Sequence, residues 1–297
     1  MKFAFFIGCN IPARVQEYEL SSRAVLGRAG VNLIDICEFN WCGYPMRNAD
    51  FNTYILFSAR NLALAEQREL DMITLCKCCF GSLKKADHLL KENKSLRGEV
   101  NSVLVKEGLA YNGGSEVNHM LSVLHKGIGA KSIKEKINLL FKDLKIATHY
   151  GCHALRPSEI TQFDDPVAPV LFDELVTITG AKSVDWPLKL ECCGAPAMGI
   201  NDTLSMTLTE KKLTDAKQAG AHYLCSACPW CQLQFDNVHK AAGTQQGNSN
   251  QIPSVLYTQL LGLAMGIDDK SLGLQMNAID ISGIKEFLSP VDALNKD

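Results

Sequence analysis

The residues of this chain best suited to chemistry are its cysteines, and they occur in one pattern used twice. The first copy runs Cys9, then Cys42-Gly43-Tyr44-Pro45, then Cys76-Lys77-Cys78-Cys79. The second runs Cys152, then Cys192-Cys193-Gly194-Ala195-Pro196, then Cys228-Pro229-Trp230-Cys231. The anchor cysteine and the CGxP cysteine lie 33 and 41 residues apart, and 34 and 35 residues separate the latter from the CxxC. Repetition with matched spacing implies two similar half-molecules, each gathering several thiolates at one point.

Two metal chemistries compete for such thiolates. Zinc takes four ligands per site and normally draws them from short CxxC knuckles in pairs. Each copy here offers a lone Cys, a central Cys or Cys-Cys, and one CxxC far along the chain, a dispersed set that an iron-sulfur cluster accommodates better. The second copy holds five thiolates, one more than an ordinary cubane cluster uses.

The compartment must keep these thiols reduced. The apolar run from Phe3 to Cys9 behind Lys2 is too short for an export signal, so a cytoplasmic location is expected. There clustered cysteines read as metal or redox groups rather than structural disulfides. No stretch reaches the roughly 18 uninterrupted apolar residues that span a bilayer. A formal net charge of −2 gives no electrostatic case for nucleic acid or an anionic membrane as partner.

The elements that must position the cysteines alternate along the chain. Phe3–Ile7, Val31–Ile36 and Met72–Leu75 are short apolar runs, each ending near a cysteine, and Lys145–His149 and His222–Cys225 match them in the second half. Helical patterns cover Phe51–Leu70 behind Asn48 and Asp50 as candidate caps, Ser82–Leu96, Pro166–Ile178, Leu204–Ala219, Gln232–Ala241 and a core helix over Ser254–Met265. The β/α alternation predicts an α/β protein of two similar tandem domains, 1–143 and 144–297, each a mainly parallel sheet with its cysteine ligands at strand-to-helix turns. The cysteine-free stretch Leu109–Leu144 carries a helical pattern at Ser115–Lys126 and reads as a linker or a partner surface, and Gly243–Asn250 reads as a loop. No GxGxxG dinucleotide fingerprint is present, so any flavin belongs to a partner.

Three longer segments extend the pattern: Leu75-Cys76 with Cys79-Phe80-Gly81-Ser82-Leu83, Tyr150-Gly151-Cys152-His153-Ala154-Leu155-Arg156-Pro157, and Tyr257 to Gly266. On these the whole chain resembles the duplicated CCG cysteine-rich proteins typified by the B subunit of heterodisulfide reductase. The resemblance implies a noncubane [4Fe-4S] cluster on the five thiolates Cys152, Cys192, Cys193, Cys228 and Cys231, with irons open to substrate sulfur. In the first copy Trp41 stands opposite Cys192, leaving Cys9, Cys42, Cys76 and Cys79, a set suited to a closed, electron-transferring cubane [4Fe-4S] cluster. The missing fifth thiolate points toward sulfur-oxidising heterodisulfide-reductase-like complexes. Methanogenic coenzyme M/coenzyme B heterodisulfide reduction and a pure electron-transfer adaptor are the alternatives. Partners implied are proteins resembling the A and C subunits of heterodisulfide reductase, the first with flavin and iron-sulfur clusters and the second with iron-sulfur clusters. The implied substrate is a thiol, a disulfide or a protein-bound sulfur.

Outside that frame, Cys37, Cys78 and Cys225 read as buried small residues or near-cluster neighbours, with Cys37 or Cys78 able to supply a fifth thiolate to the first site after a shift of register. His153, beside an anchor cysteine, is the candidate proton or hydrogen-bond donor to a sulfur intermediate, against a purely structural role. Arg156 is either an anchor for an anionic substrate tail or a helix cap.

Overall fold

The computed structural model describes residues 1–241 and 252–291. Strands β1 (Lys2–Phe6), β2 (Asn32–Ile34), β3 (Met72–Thr74) and β4 (Val117–His119) form a parallel sheet in the order β2-β1-β3-β4. After β5 (Leu139–Phe141), strands β6 (Lys145–Thr148), β7 (Lys182–Val184), β8 (Tyr223–Ser226) and β9 (Ser254–Leu256) repeat the plan as β7-β6-β8-β9. β10 (Leu288–Pro290) returns from the second half to pair antiparallel with β5. Both central strands are buried on both faces, which is why Ala4-Phe5-Phe6 and Ile146-Ala147 are apolar without alternation.

Most expected helices form close to their expected limits. Phe51–Gln67 starts at Asp50, whose carboxylate accepts from the Thr53 amide at 3.0 Å, and Asp202–Gln218 starts at Asn201, which accepts from Leu204 at the same distance. The expected Pro166–Ile178 helix is confined to Leu171–Ile178. Asp164 and Asp165 accept the amides of Val167, Ala168, Val170 and Leu171, and so hold the preceding residues in a turn. Ser82–Leu96 starts earlier, as Lys77–Glu92, because Cys76 is its N-cap; a second helix, Lys94–Leu104, follows behind the Asn93 cap.

Two helical expectations are corrected. Ser115–Lys126 contains β4, since the exposed edge of β3 pairs with Val117–His119 before the chain turns into Met120–Ser122 and a π-helical turn, Val123–Ile128. Ser254–Met265 likewise opens as β9 and becomes helical only over Tyr257–Ala264. Gln232–Ala241 overlaps the short helix Pro229–Leu233 and a π-helical turn, Gln234–Val238. Gly243–Asn250 lies outside the described residues.

The halves interlock reciprocally. The helix after β9, Tyr257–Ala264, packs on Gln16–Arg28 of the first half, where Ser21 Oγ and Thr258 Oγ1 are 2.7 Å apart in the buried contact. In return, the segments after β4 pack on Leu171–Ile178. Helix Lys77–Glu92 lies against Ser158–Thr161, and Gly81 makes the approach feasible: a Cβ there would sit 2.8 Å from the His153 carbonyl oxygen. The carboxyl ends of both sheets, where each cysteine segment begins, face one another across this seam.

Candidate metal centre

Each half presents its thiols with the same device. Cys9 and Cys152 follow the central strands β1 and β6; Cys76 and Cys228 follow β3 and β8 and cap helices whose first turns carry Cys79 and Cys231. The partial positive charge at these helix ends favours thiolate over thiol. Cys42 and Cys193 are placed by the glycine after them. Gly43 (φ 77°) and Gly194 (φ 94°) adopt left-handed backbone and lead into the 3-10 turns Tyr44–Met46 and Ala195–Ala197. Matching hydroxyls hold the loops to their helices: Ser58 donates to the Cys42 carbonyl at 2.8 Å and Thr209 to the Cys193 carbonyl at 3.1 Å.

The five cysteines of the second copy line one cavity of about 340 Å³. Cys9, Cys42, Cys76 and Cys79 line a separate, tighter space of about 20 Å³. The donor sets fit the chemistry expected of them, since all these ligands are sulfur and each set converges on one void. The two sites also touch: the ligand atoms of Cys76, Cys78 and Cys228 lie within 4.8 Å of one another. A second compact group unites His149, Cys193 and Cys231, with His149 Nε2 3.2 Å from Cys231 Sγ.

Each CxxC also feeds the other half's site. Lys77 and Cys78 line the larger cavity with Tyr44 and Arg47, all from the first half, whereas Pro229 and Trp230 of the second half close the smaller one. Cys78 borders both voids. His153 stands at the junction: Nδ1 is 3.2 Å from Cys152 Sγ and 3.7 Å from Cys78 Sγ, and Nε2 is 3.0 Å from Tyr44 Oη. Arg47 lies over the Tyr44 ring at 5.1 Å and has no carboxylate at ion-pair distance among the described residues. Met198 and Ile200 form an apolar part of the rim, Ile200 being 87% exposed.

Charge is unevenly shared among the thiols. Hydrogen bonds from Cys152 and Cys193, together with the Gly194 amide, lower Cys192 to about 2, and Cys152 and Cys193 are raised by the same contact. Burial opposes ionisation of Cys228, yet hydrogen bonds from Cys231, Cys76 and Cys78 and the charge of Lys77 hold it well below the usual thiol range. In the first set a hydrogen bond from Cys79 lowers Cys42, and burial raises Cys9. Burial keeps His149 neutral and depresses His153 as well. Two buried lysines lie among these groups. Lys77 Nζ donates to the carbonyls of His149 and Tyr150 at 2.8 and 2.7 Å, and Lys212 Nζ donates to those of Leu188 and Glu191.

Every cysteine of the two expected ligand sets thus lines one of the two voids, and His153 reaches the second. Cys225 is buried within β8, as expected, and Cys78 is a buried neighbour of both sites. Cys37 differs: it is exposed, in a groove beside Phe39 and Trp41. Arg156 is exposed and does not line the cavity; Arg47 stands there instead. Sequence reasoning missed Tyr44, Arg47, Lys77, His149 and Lys212. Four of these lie in or beside the cysteine motifs, but only the cross-seam packing shows which site they serve.

The cysteine-rich domain family CCG matches residues 3–84 and 146–236, the two repeats of the fold. The B subunit of the ferredoxin:CoB-CoM heterodisulfide reductase of Methanosarcina mazei is 38% identical over 94% of both chains. The chain belongs to the family of duplicated CCG proteins that includes the heterodisulfide reductase B subunits. A further member, the 8-methylmenaquinol:fumarate reductase membrane anchor subunit of Wolinella succinogenes, is 34% identical over 94% of this chain and 97% of its own. A protein of Archaeoglobus profundus described as like the heterodisulfide reductase B subunit is 30% identical over 92% of this chain and 93% of its own. A hypothetical protein from Helicobacter pylori shares the fold, with TM-score 0.73 and 18% identity over 95% of this chain and 52% of that one. Membership makes this protein an iron-sulfur redox component of the heterodisulfide reductase type. Among the described residues no helix is long and apolar enough to cross a membrane.

Proposed function

We propose that the chain is the bond-making component of a heterodisulfide-reductase-like complex, breaking or forming a sulfur-sulfur or sulfur-carrier bond at its second cysteine site. The supporting observation is the inequality of the two voids: about 340 Å³ behind a mouth shared by both halves, against about 20 Å³ closed by Trp230 and Pro229. A noncubane [4Fe-4S] cluster on Cys152, Cys192, Cys193, Cys228 and Cys231 would supply one-electron chemistry and open positions for sulfur. Cys9, Cys42, Cys76 and Cys79 would hold a cubane cluster that only passes electrons, and the two repeats would act as domains 1–143 and 144–297.

The chain's own residues divide the remaining work. Arg47, at the mouth with no carboxylate at ion-pair distance among the described residues, receives an anionic tail of the substrate. His153, held by Tyr44, turns its Nδ1 to the sulfur side and offers a hydrogen bond there. Met198, Ile200, Pro45 and Pro196 shield the reacting sulfur from water. Flavin- and cluster-bearing partners in the cytoplasm that resemble the A and C subunits of heterodisulfide reductase supply the electrons when the sulfur bond is broken and accept them when it is formed.

Trp41 in the place of a doubled cysteine favours a sulfur-oxidising complex, whereas identities of 38% and 37% to two Methanosarcina heterodisulfide reductase components favour CoB-CoM heterodisulfide reduction. The resemblance to the Wolinella anchor protein favours another reading, an electron adaptor with no substrate sulfur of its own. Anaerobically prepared protein should hold about eight irons and eight sulfides per chain. On adding substrate thiol under oxidation, the second-site paramagnetic signal should broaden with a sulfur isotope label. Zinc without sulfide overturns the cluster reading; clusters without thiol broadening leave the adaptor.

A further inference from the structure

The duplication allows the two sites to be compared position by position. Gly43 and Gly194, the caps Asp50 and Asn201, and the hydroxyl donors Ser58 and Thr209 each stand 151 residues apart and make the same contacts. The same interval pairs Asn61 with Lys212. Asn61 is neutral: its amide donates to the Trp41 and Phe57 carbonyls at 3.1 and 3.0 Å, and its oxygen accepts from the Asn40 amide. Lys212 occupies the equivalent place with an ammonium, over the Trp186 ring at 4.8 Å and bound to the Leu188 and Glu191 carbonyls. The middle of the CxxC pairs Lys77 with Pro229, and each crosses the seam to the other half's site, so the second site again receives a cation and the first does not. At the end of the central strand, Phe6 corresponds to His149, whose ring contacts Cys231.

Lys77 and Lys212 are each 2% exposed, and neither has a carboxylate at ion-pair distance among the described residues. A buried charge without a counter-ion is strongly disfavoured, so each ammonium needs an anion nearby. Burial disfavours the ammonium of both, and anionic groups oppose that effect: Cys231, Cys193, Glu191 and Cys192 act electrostatically on Lys212, and Cys231, Cys228, Cys225 and Cys152 on Lys77, with Cys231 common to both. On the first site the basic group acting on a thiol is Arg14, at the surface beside Cys9.

We infer that Lys212 and Lys77 are tuning residues that raise the reduction potential of the second site above that of the first. This rests on the iron-sulfur reading proposed above. A reduced group carries one more negative charge than its oxidised form, so buried cations beside it favour the reduced form. The site with the open cavity is therefore the one on which an electron settles, and the tight first site is the less readily reduced. Lys77 lines the larger void and Lys212 does not; both act through charge and through the carbonyls they hold.

The test is an anaerobic redox titration of the full chain followed by electron paramagnetic resonance, with Cys192→Ser used to assign the second-site signal. Iron and sulfide are determined first, so a protein without clusters refutes the functional reading rather than the tuning. In the wild type the second-site signal should titrate at the higher potential. Lys212→Asn, which copies the first site, should lower that potential at least tenfold in the one-electron equilibrium, about 59 mV, and leave the first-site potential in place. Lys212→Arg should restore it. Lys77→Gln should act in the same direction. Should Lys212→Asn lose its iron, Asn61→Lys decides, because it must raise the first-site potential. An unchanged second-site potential in iron-replete Lys212→Asn, an equal shift at both sites, or no rise in Asn61→Lys overturns the inference.

Discussion

Gly194→Ala should destabilise the protein by ~2–4 kcal/mol, from backbone strain of ~1 kcal/mol and overpacking of ~1–3 kcal/mol. Gly194 has φ 94° and ψ −18°, a region an L side chain rarely adopts. A Cβ built there would lie 2.5 Å from the Ser205 carbonyl oxygen and 3.2 Å from Thr209 Oγ1. The first neighbour is helix backbone and cannot rotate away, so the loop carrying Cys192 and Cys193 must lift off Asp202–Gln218. Gly199→Ala is the control: φ is 81°, but nothing lies within 4 Å of its Cβ, so only the strain of ~1 kcal/mol applies. Urea unfolding of chelated protein separates this packing term from lost metal affinity. Iron retention in loaded protein should fall for Gly194→Ala and not for Gly199→Ala. If both variants unfold within ~0.5 kcal/mol of each other, the helix contact does not hold the cysteine loop and the account of the motif's glycine fails.

Cys192→Ser should abolish the second-site signal and turnover while the first-site signal persists; losing both signals would show one shared site. Ser58→Ala, which leaves the Cys42 carbonyl without its buried donor, should cost ~1–3 kcal/mol in denaturant unfolding, and a loss under ~0.5 kcal/mol would discount that contact. Burial raises Glu17 from 4.5 to about 7, so the folded protein holds a proton that the unfolded chain releases. Stability from this group is full below the unfolded value and is lost as pH rises toward about 7. Glu17→Gln should therefore stabilise the protein at pH 8 by ~1–2 kcal/mol and flatten stability between about pH 5 and 8, as read by thermal unfolding; an unchanged slope would assign the dependence elsewhere.

Much of the site is legible in the sequence because the cysteine pattern occurs twice and the turn and cap signals beside each cysteine are local. Gly43 and Gly194 mark the left-handed turn, Asp50 caps its helix as its position suggests, and the CxxC pairs open helices. What sequence does not show is which half a side chain serves. Lys77 and Cys78 stand inside the first motif yet line the second cavity, because helix Lys77–Glu92 crosses the seam over Gly81. Arg156 lies in the segment around Cys152 but is exposed, and Arg47, two residues past CGYP, stands at the mouth. β4 reads as helix because its buried-intermediate-buried alternation covers only Val117–His119 before the helical turn at Met120, too short a run to set a strand period.

The reciprocal packing gives the duplication a consequence beyond symmetry. If each half folded around its own thiols alone, the two CxxC segments would be free to diverge independently. Instead the middle residues of each are walls of the opposite site, so a change in one repeat alters the chemistry of the other. Lys-Cys in the first half, where the second half has Pro-Trp, leaves the first void closed by Trp230 and gives the second a cation and a bordering thiol. Meanwhile Trp41, in the place of a thiolate, packs edge-on against Phe57 at 5.4 Å, an apolar contact on the first site's side. A non-sulfur side chain beside one site and an added cation at the other thus belong to one reciprocal arrangement. It requires both repeats in one chain, held at the separation at which Cys76 and Cys228 meet.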